Sequence, residues 1–313
     1  MKLTEARIAV VYLILSSITF SACGTVAPAP FPLVSTPTIL PAIPTFTLLP
    51  ATPTAIPILT LTPLNLNPQI SVLAENLPEP DDLVLAPDGS VYMSDVTEGT
   101  IKQYMSTGQL NLILSGLRSP EGMAFLPNGS MVIAEQGANR LIRYDLNSKT
   151  LMPFLDLVNN TDQLGVDGIL WDGRNLIVPD SPNGTVLEVS ADGQTVRQLA
   201  SGLRRPTGAW LESTGDLLIA DENGNAIYRL HRDGALEKVA DFSIPDDVVE
   251  DPNGNIFVIT LGDDAIHLLT AGTNQDIVLV SGLNDPQGII FDTEGNLIMT
   301  DSGNHRLLKV LIH

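Results

Sequence analysis

Between residues 69 and 313 the chain alternates short apolar runs with glycine-centred turns, and no stretch holds a helical period. "LRSPEGMAFLPNGSMVIAE" sets the pattern. The run "MAFL" is followed by "PNG" and then by a second run, "MVIAE". Asn-Gly and Asp-Gly pairs between such runs predict hairpins, because glycine accepts positive φ. A third run alternates apolar and polar residues ("RLIRYD", "AIYRL"), and a fourth follows ("LNLILSG", "VRQLASG", "IVLVSG").

The pattern recurs. "LPEPDDLVLAPDGSVYMSD", "LRRPTGAWLESTGDLLIAD", "SIPDDVVEDPNGNIFVIT" and "LNDPQGIIFDTEGNLIMTD" are copies, and "LGVDGILWDGRNLIVPD" is a divergent copy without the proline. The residue at the Glu121 position is in turn Asp81, Glu121, Asp167, Thr207, Asp246 and Gln287, at intervals of 40, 46, 40, 39 and 41 residues. Four antiparallel strands per repeat of about 40 residues predict an all-β, six-bladed β-propeller. A solenoid is the alternative, but it needs distinct capping repeats. "RLLKVLIH" at residues 306–313 reads as a third strand, which leaves the last unit without a fourth. "ISVLAENL" at 70–77 matches the fourth strand "IVLVSGL" at 277–283. An N-terminal strand is therefore expected to complete the last blade and close the ring.

"DSGNHRLLKV" resembles the NHL repeat through Asp301, Asn304 and Arg306. "SPEGMAFLPNGSMVIAEQGANRLIRYD" resembles both NHL repeats and the senescence-marker/gluconolactonase family of six-bladed propellers. The resemblance covers residues 69–313 and rests on a short motif. It implies a propeller that is either an interaction platform or a metal-dependent hydrolase of lactones or esters. The gluconolactonase-like ligands are a Glu, two Asn and an Asp at first-strand mouths. The positions in register are Asp81, Asp167, Thr207 and Asp246, of which only Asp246 keeps its residue type; Glu121 is an additional acid.

In a propeller the first strand of each blade lines the central channel. The six residues at the Glu121 position then share one rim. Asp81, Glu121, Asp167 and Asp246 converge there, with Thr207 and Gln287 as neutral oxygens. Carboxylates so close raise one another's pKa unless positive charge sits among them. A hard divalent cation, Ca²⁺ before Mg²⁺, meets that need with oxygen ligands. Solvation, or capping of backbone N–H groups, is the competing reading. The second-strand ends, Asp95, Glu135, Asp180, Asp221, Thr260 and Asp301, reach the same face. Their "DSGN" and "DENGN" settings read as turn chemistry.

Other chemistry is sparse. His231, His267, His305 and His313 share no metal-ligand spacing, and His305 is a candidate channel-face acid/base. There is no phosphate-binding glycine loop and no nucleophile elbow. Trp171 and Trp210 fall in first strands and read as interblade core rather than a ligand cage.

The N-terminal segments differ in composition. Residues 1–22 read as an export signal: Lys2 and Arg7 precede "IAVVYLILSSITFSA", a run too short for a comfortable span. "FSAC" resembles a bacterial lipobox, with Phe20 where Leu is usual, and makes Cys23, the single cysteine, the candidate lipid-attachment site. Residues 23–68 contain a proline every few positions and no charge. They read as a stiff spacer whose reach is on the order of 130 Å, at ~3.1 Å per residue.

Of 16 basic and 36 acidic residues, only Lys2, Arg7 and Glu5 precede residue 69, so the propeller carries 14 basic and 35 acidic residues, a net of −21. This charge disfavours nucleic acid and anionic lipid surfaces as partners of the propeller and favours cations or cationic ligands. The expected protein is a monomeric, extracytoplasmic propeller, lipid-anchored to a bacterial membrane, with a small-molecule or protein ligand on its channel face. Two function classes follow: a binding module with a divalent cation in the channel, or a metal-dependent lactonase or esterase with Asp246 as the candidate catalytic residue.

Overall fold

A computed structural model describes residues 64–313 except 160, 162 and 274. The export signal, Cys23 and the spacer up to residue 63 lie outside the described residues. Six four-stranded antiparallel sheets form the blades. Blade 2 is representative, with strands Pro120–Phe125, Ser130–Glu135, Arg140–Asp145 and Thr150–Asp156 from the axis outward. Its first hairpin turns at Asn128–Gly129. Asn128 Oδ1 accepts the Ser130 N–H at 3.0 Å, and Gly129 takes φ 80°. The central strands of the blades are almost fully buried, and the apolar clusters join residues of neighbouring blades.

The ring closes as its repeat pattern predicts. Gln69–Glu75 pairs antiparallel with Arg306–Leu311, completing the sheet that also holds Leu297–Asp301 and Pro286–Phe291. Leu77, 1% exposed, anchors the closing strand, and its N–H donates to the His305 carbonyl at 3.0 Å. Attachment begins before residue 69. Leu64 packs on the last blade, and the Asn65 N–H donates to the Ile312 carbonyl at 2.8 Å.

The inner strands are Pro80–Leu85, Pro120–Phe125, Leu170–Trp171, Pro206–Leu211, Pro245–Glu250 and Pro286–Phe291. Their crowding explains a glycine in the repeat. A Cβ on Gly168 would stand 2.7 Å from the Thr207 carbonyl oxygen, and one on Gly208 would stand 2.8 Å from that of Asp246. At the same position blades 1 and 5 carry Asp82 and Asp247. The long interval of 46 residues has a local cause in the connection from blade 2 to blade 3. Asn139 pins both ends of that connection, donating to the Leu157 carbonyl at 3.1 Å and accepting the Val166 N–H at 2.8 Å.

Candidate functional site at the channel mouth

The propeller brings the expected acids together. Asp81, Glu121 and Asp246 begin inner strands, and Asp167 stands in register in blade 3 just ahead of its short strand. Glu121 is 4% exposed and Asp167 is also buried. Each carboxyl is pushed above the ordinary range, first by burial. Asp81 is raised to about 7, and its carboxyl hydrogen-bonds that of Glu121. Glu121 and Asp246 lie well above their usual values, with the charges of Asp81 and Asp167 adding to burial in both. Asp167 is raised to about 6; burial lifts it and the Arg205 guanidinium opposes the rise.

Arg205 was not singled out as a site residue in the sequence. It precedes the repeat proline, where nothing in the spacing marks it. The fold places its Nη2 2.7 Å from Asp167 Oδ2, and its Nε donates to Glu222. Arg205 is 6% exposed, and its Nη1 has no hydrogen-bond partner among the described residues. A buried N–H without an acceptor is costly and marks a position where a ligand oxygen is favoured.

Thr207 and Gln287 are committed elsewhere. Thr207 Oγ1 donates to the Asp246 carbonyl at 2.7 Å, tying blade 4 to blade 5, and the Gln287 side chain lies beside Asp285, opposing the rise that burial gives that carboxyl. His305 sits at the closing seam in a left-handed conformation, φ 60°, and its Nδ1 donates to the Pro78 carbonyl at 2.7 Å.

The second-strand ends do turn chemistry. Asp221 accepts the Arg204 and Arg205 N–H groups, Glu135 that of Arg118, and Asp95 that of Glu98. Asp301 accepts the Asn284 N–H at 2.8 Å and bonds Asn304 and Arg306, so the NHL-like triplet is a clasp within one turn.

Two further acids lie one position along the inner strands. Asp82 is raised well above its usual value and Asp247 to about 7, each chiefly by burial. The recurrence singled out only the first Asp of each "PDD", because glycine holds the next position in the other blades.

The mouth is rich in carboxyl oxygens, and among the described residues Arg205 alone is the cation bonded to them. It is not a preformed cage: among the described residues no three His, Cys, Asp or Glu side chains are grouped as metal ligands.

No family model matches the chain, and no curated protein matches it. Solved structures do. A gluconolactonase from Xanthomonas campestris is 16% identical with a TM-score of 0.65, over 79% of this chain and 90% of the other. A virginiamycin B lyase from Staphylococcus aureus is 18% identical with a TM-score of 0.58, over 74% and 80%. An auxiliary nutrient binding protein from Bacteroides thetaiotaomicron is 15% identical with a TM-score of 0.62, over 75% and 69%. The chain is thus a six-bladed β-propeller with gluconolactonase-like and lyase-like structural neighbours. At these identities the likeness establishes fold alone.

Proposed function

We propose that this chain is a membrane-tethered, extracytoplasmic binding module whose channel mouth takes a divalent cation, Ca²⁺ first. The observation that carries the reading is the set of four carboxyls at one rim, Glu121 and Asp167 buried and Asp81 and Asp246 half-buried, with Arg205 as their single bonded cation among the described residues. Asp81, Glu121 and Asp246 would hold the ion, because Asp167 is already paired. The ion would neutralise the rim in exchange for protons and present a polar face to a ligand oxygen beside Arg205 Nη1. The tether rests on the lipobox-like "FSAC" and the proline-rich spacer.

Binding to the native ring stabilises it by mass action, about 2.7 kcal/mol at a hundredfold excess over the dissociation constant. Chelator is expected to lower the melting temperature, and Ca²⁺ to restore it. Asp246→Asn should weaken that response more than Asp301→Asn, since Asp301 is bound within its turn. A melting curve indifferent to chelator and Ca²⁺ removes the cation from the reading.

A lactone or ester hydrolase is the second reading. The observation that favours it is that Asp81 and Asp167 have carboxyls raised to about 7 and about 6, suited to proton transfer near neutrality. A channel metal would supply carbonyl polarisation in such an enzyme. Against it stand Thr207 and Asp167, two of the four positions in register with the family's ligands, both engaged by protein partners. Turnover of a lactone and ester panel, lost in Asp246→Asn, would decide for the hydrolase.

A further inference from the structure

Beyond the rim, the central channel widens into a cavity of about 480 Å³. Its lining starts at the third position of the inner strands, with Asp82, Gly168, Gly208 and Asp247, and runs to their C-terminal ends. None of the six rim residues lines it. It therefore lies on the far side of the Asp82–Asp247 layer from the acidic mouth. Toward the strand ends the walls are apolar and aromatic, including Leu85, Phe125, Trp171, Trp210 and Phe291, with one acid beyond them, Asp292, already paired with Lys309 at 2.7 Å. These side chains are partly exposed although the strands that carry them are axial.

The walls are ordered. Trp210 meets Phe291 edge-on at 6.1 Å, across the blade between them, and Phe291 meets Phe257 edge-on at 5.7 Å. The tryptophans thus both pack between blades and face the cavity, where sequence predicted interblade core alone.

The inner end is of opposite character. Asp82 reaches across from blade 1, its Oδ2 lying 3.5 Å from where a Cβ on Gly168 of blade 3 would stand. Asp247 accepts the Val248 N–H at 2.8 Å and the Ile289 N–H at 3.0 Å. Among the described residues no side-chain donor and no cationic group bonds either carboxyl. An apolar, aromatic-walled cavity thus ends in two acids without a counter-cation.

We propose that this cavity binds an organic ammonium, a small ligand whose apolar body fills the aromatic end and whose cationic head meets Asp82 and Asp247. The volume is within the range of small-molecule sites, ~300–1,000 Å³. Aromatic faces attract an ammonium, and the carboxyl oxygens of Asp82 and Asp247 accept its N–H donors, whereas an inorganic cation gains nothing from the apolar walls. The site is separate from the rim and does not depend on a divalent ion there.

The chain reports on the cavity by itself, because its two tryptophans, Trp171 and Trp210, both line it. The test titrates the full chain, in saturating Ca²⁺, with 2-phenylethylammonium and separately with its neutral counterpart 2-phenylethanol, following tryptophan fluorescence. The amine is expected to change the emission saturably and to bind at least tenfold more tightly than the alcohol. Asp82→Asn should remove that preference and leave the alcohol response, whereas Asp241→Asn, at an exposed acid ending the outer strand of blade 4, should leave both unchanged. Equal responses to amine and alcohol, or none, overturn the proposal from the unaltered chain alone, so a variant that fails to fold does not protect it. Loss of amine binding in Glu121→Gln with retention in Asp82→Asn also overturns it, by placing the amine at the rim. Absence of a Ca²⁺ effect on melting, which would sink the proposed rim cation, leaves this comparison intact.

Discussion

Replacing Arg205 by Met tests the electrostatics of the channel mouth most directly. The substitution keeps an apolar stem and removes the charge that bonds Asp167 at 2.7 Å and also meets Glu222. Removing one partner of a buried ion pair typically costs ~3–5 kcal/mol, because the other charge stays buried and unpaired. For a domain of this size each kcal/mol shifts melting by ~2–4 °C, so a fall of about 6–20 °C is expected near neutral pH. The dependence on pH is the sharper part. Burial holds the Asp167 carboxyl at about 6 even with Arg205 pulling it down. Without Arg205 it rises further. The native variant then keeps a proton that an unfolded aspartate, with a pKa of ~3.9, has released. Stability falls with rising pH wherever the native state binds more protons, by ~1.4 kcal/mol per pH unit for one group. In the unaltered chain that fall, as far as it comes from Asp167, ends near pH 6; in the variant it continues. The deficit of Arg205→Met should therefore be smallest at pH 5 and grow between pH 6 and 8. Thermal melts of both full-length chains at pH 5, 6, 7 and 8 measure it. A deficit constant across that range, or below about 1 kcal/mol at pH 8, would refute the assignment of Arg205 as the counter-charge of Asp167.

Three further outcomes are expected. The whole ring should lose melting temperature as pH rises from about 4 through 7, because Asp81, Asp167 and Asp247, and with them Asp82, Glu121 and Asp246, hold protons in the fold at pH values where unfolded carboxyls do not; a melting temperature that climbs through that window contradicts the raised carboxyls. A chain beginning at Leu64 should melt cooperatively, whereas one beginning at Pro78 lacks the strand paired to Arg306–Leu311 and the buried Leu77, worth ~1.5–3 kcal/mol alone, and should melt far lower or aggregate; equal melting of the two would contradict closure by the N-terminal strand. Cys23→Ser should release the protein from the membrane fraction or leave it as precursor, and a processed variant that sediments unchanged would end the lipoprotein reading.

The propeller was legible in the sequence because its determinants are local and repeated. Each blade carries its own glycine turns and apolar runs, and Gln69–Glu75 matches the fourth strands of the other blades. The rim was legible for the same reason: a residue at a constant place in every repeat must fall on one circle about the axis. What lies between repeats was not. Arg205 stands beside Asp167 only because blades 3 and 4 are adjacent, 38 residues apart along the chain. Asp82 and Asp247 broke a glycine consensus, and a deviation from a repeat has no periodicity of its own. Their effect depends on where the gap between blades lets the side chains go. The cavity follows from the same limit. Sequence could say that inner strands are apolar, but only the radius of the closed ring decides whether those strands fill the axis with side chains or leave a space there, walled by Trp171, Trp210 and Phe291.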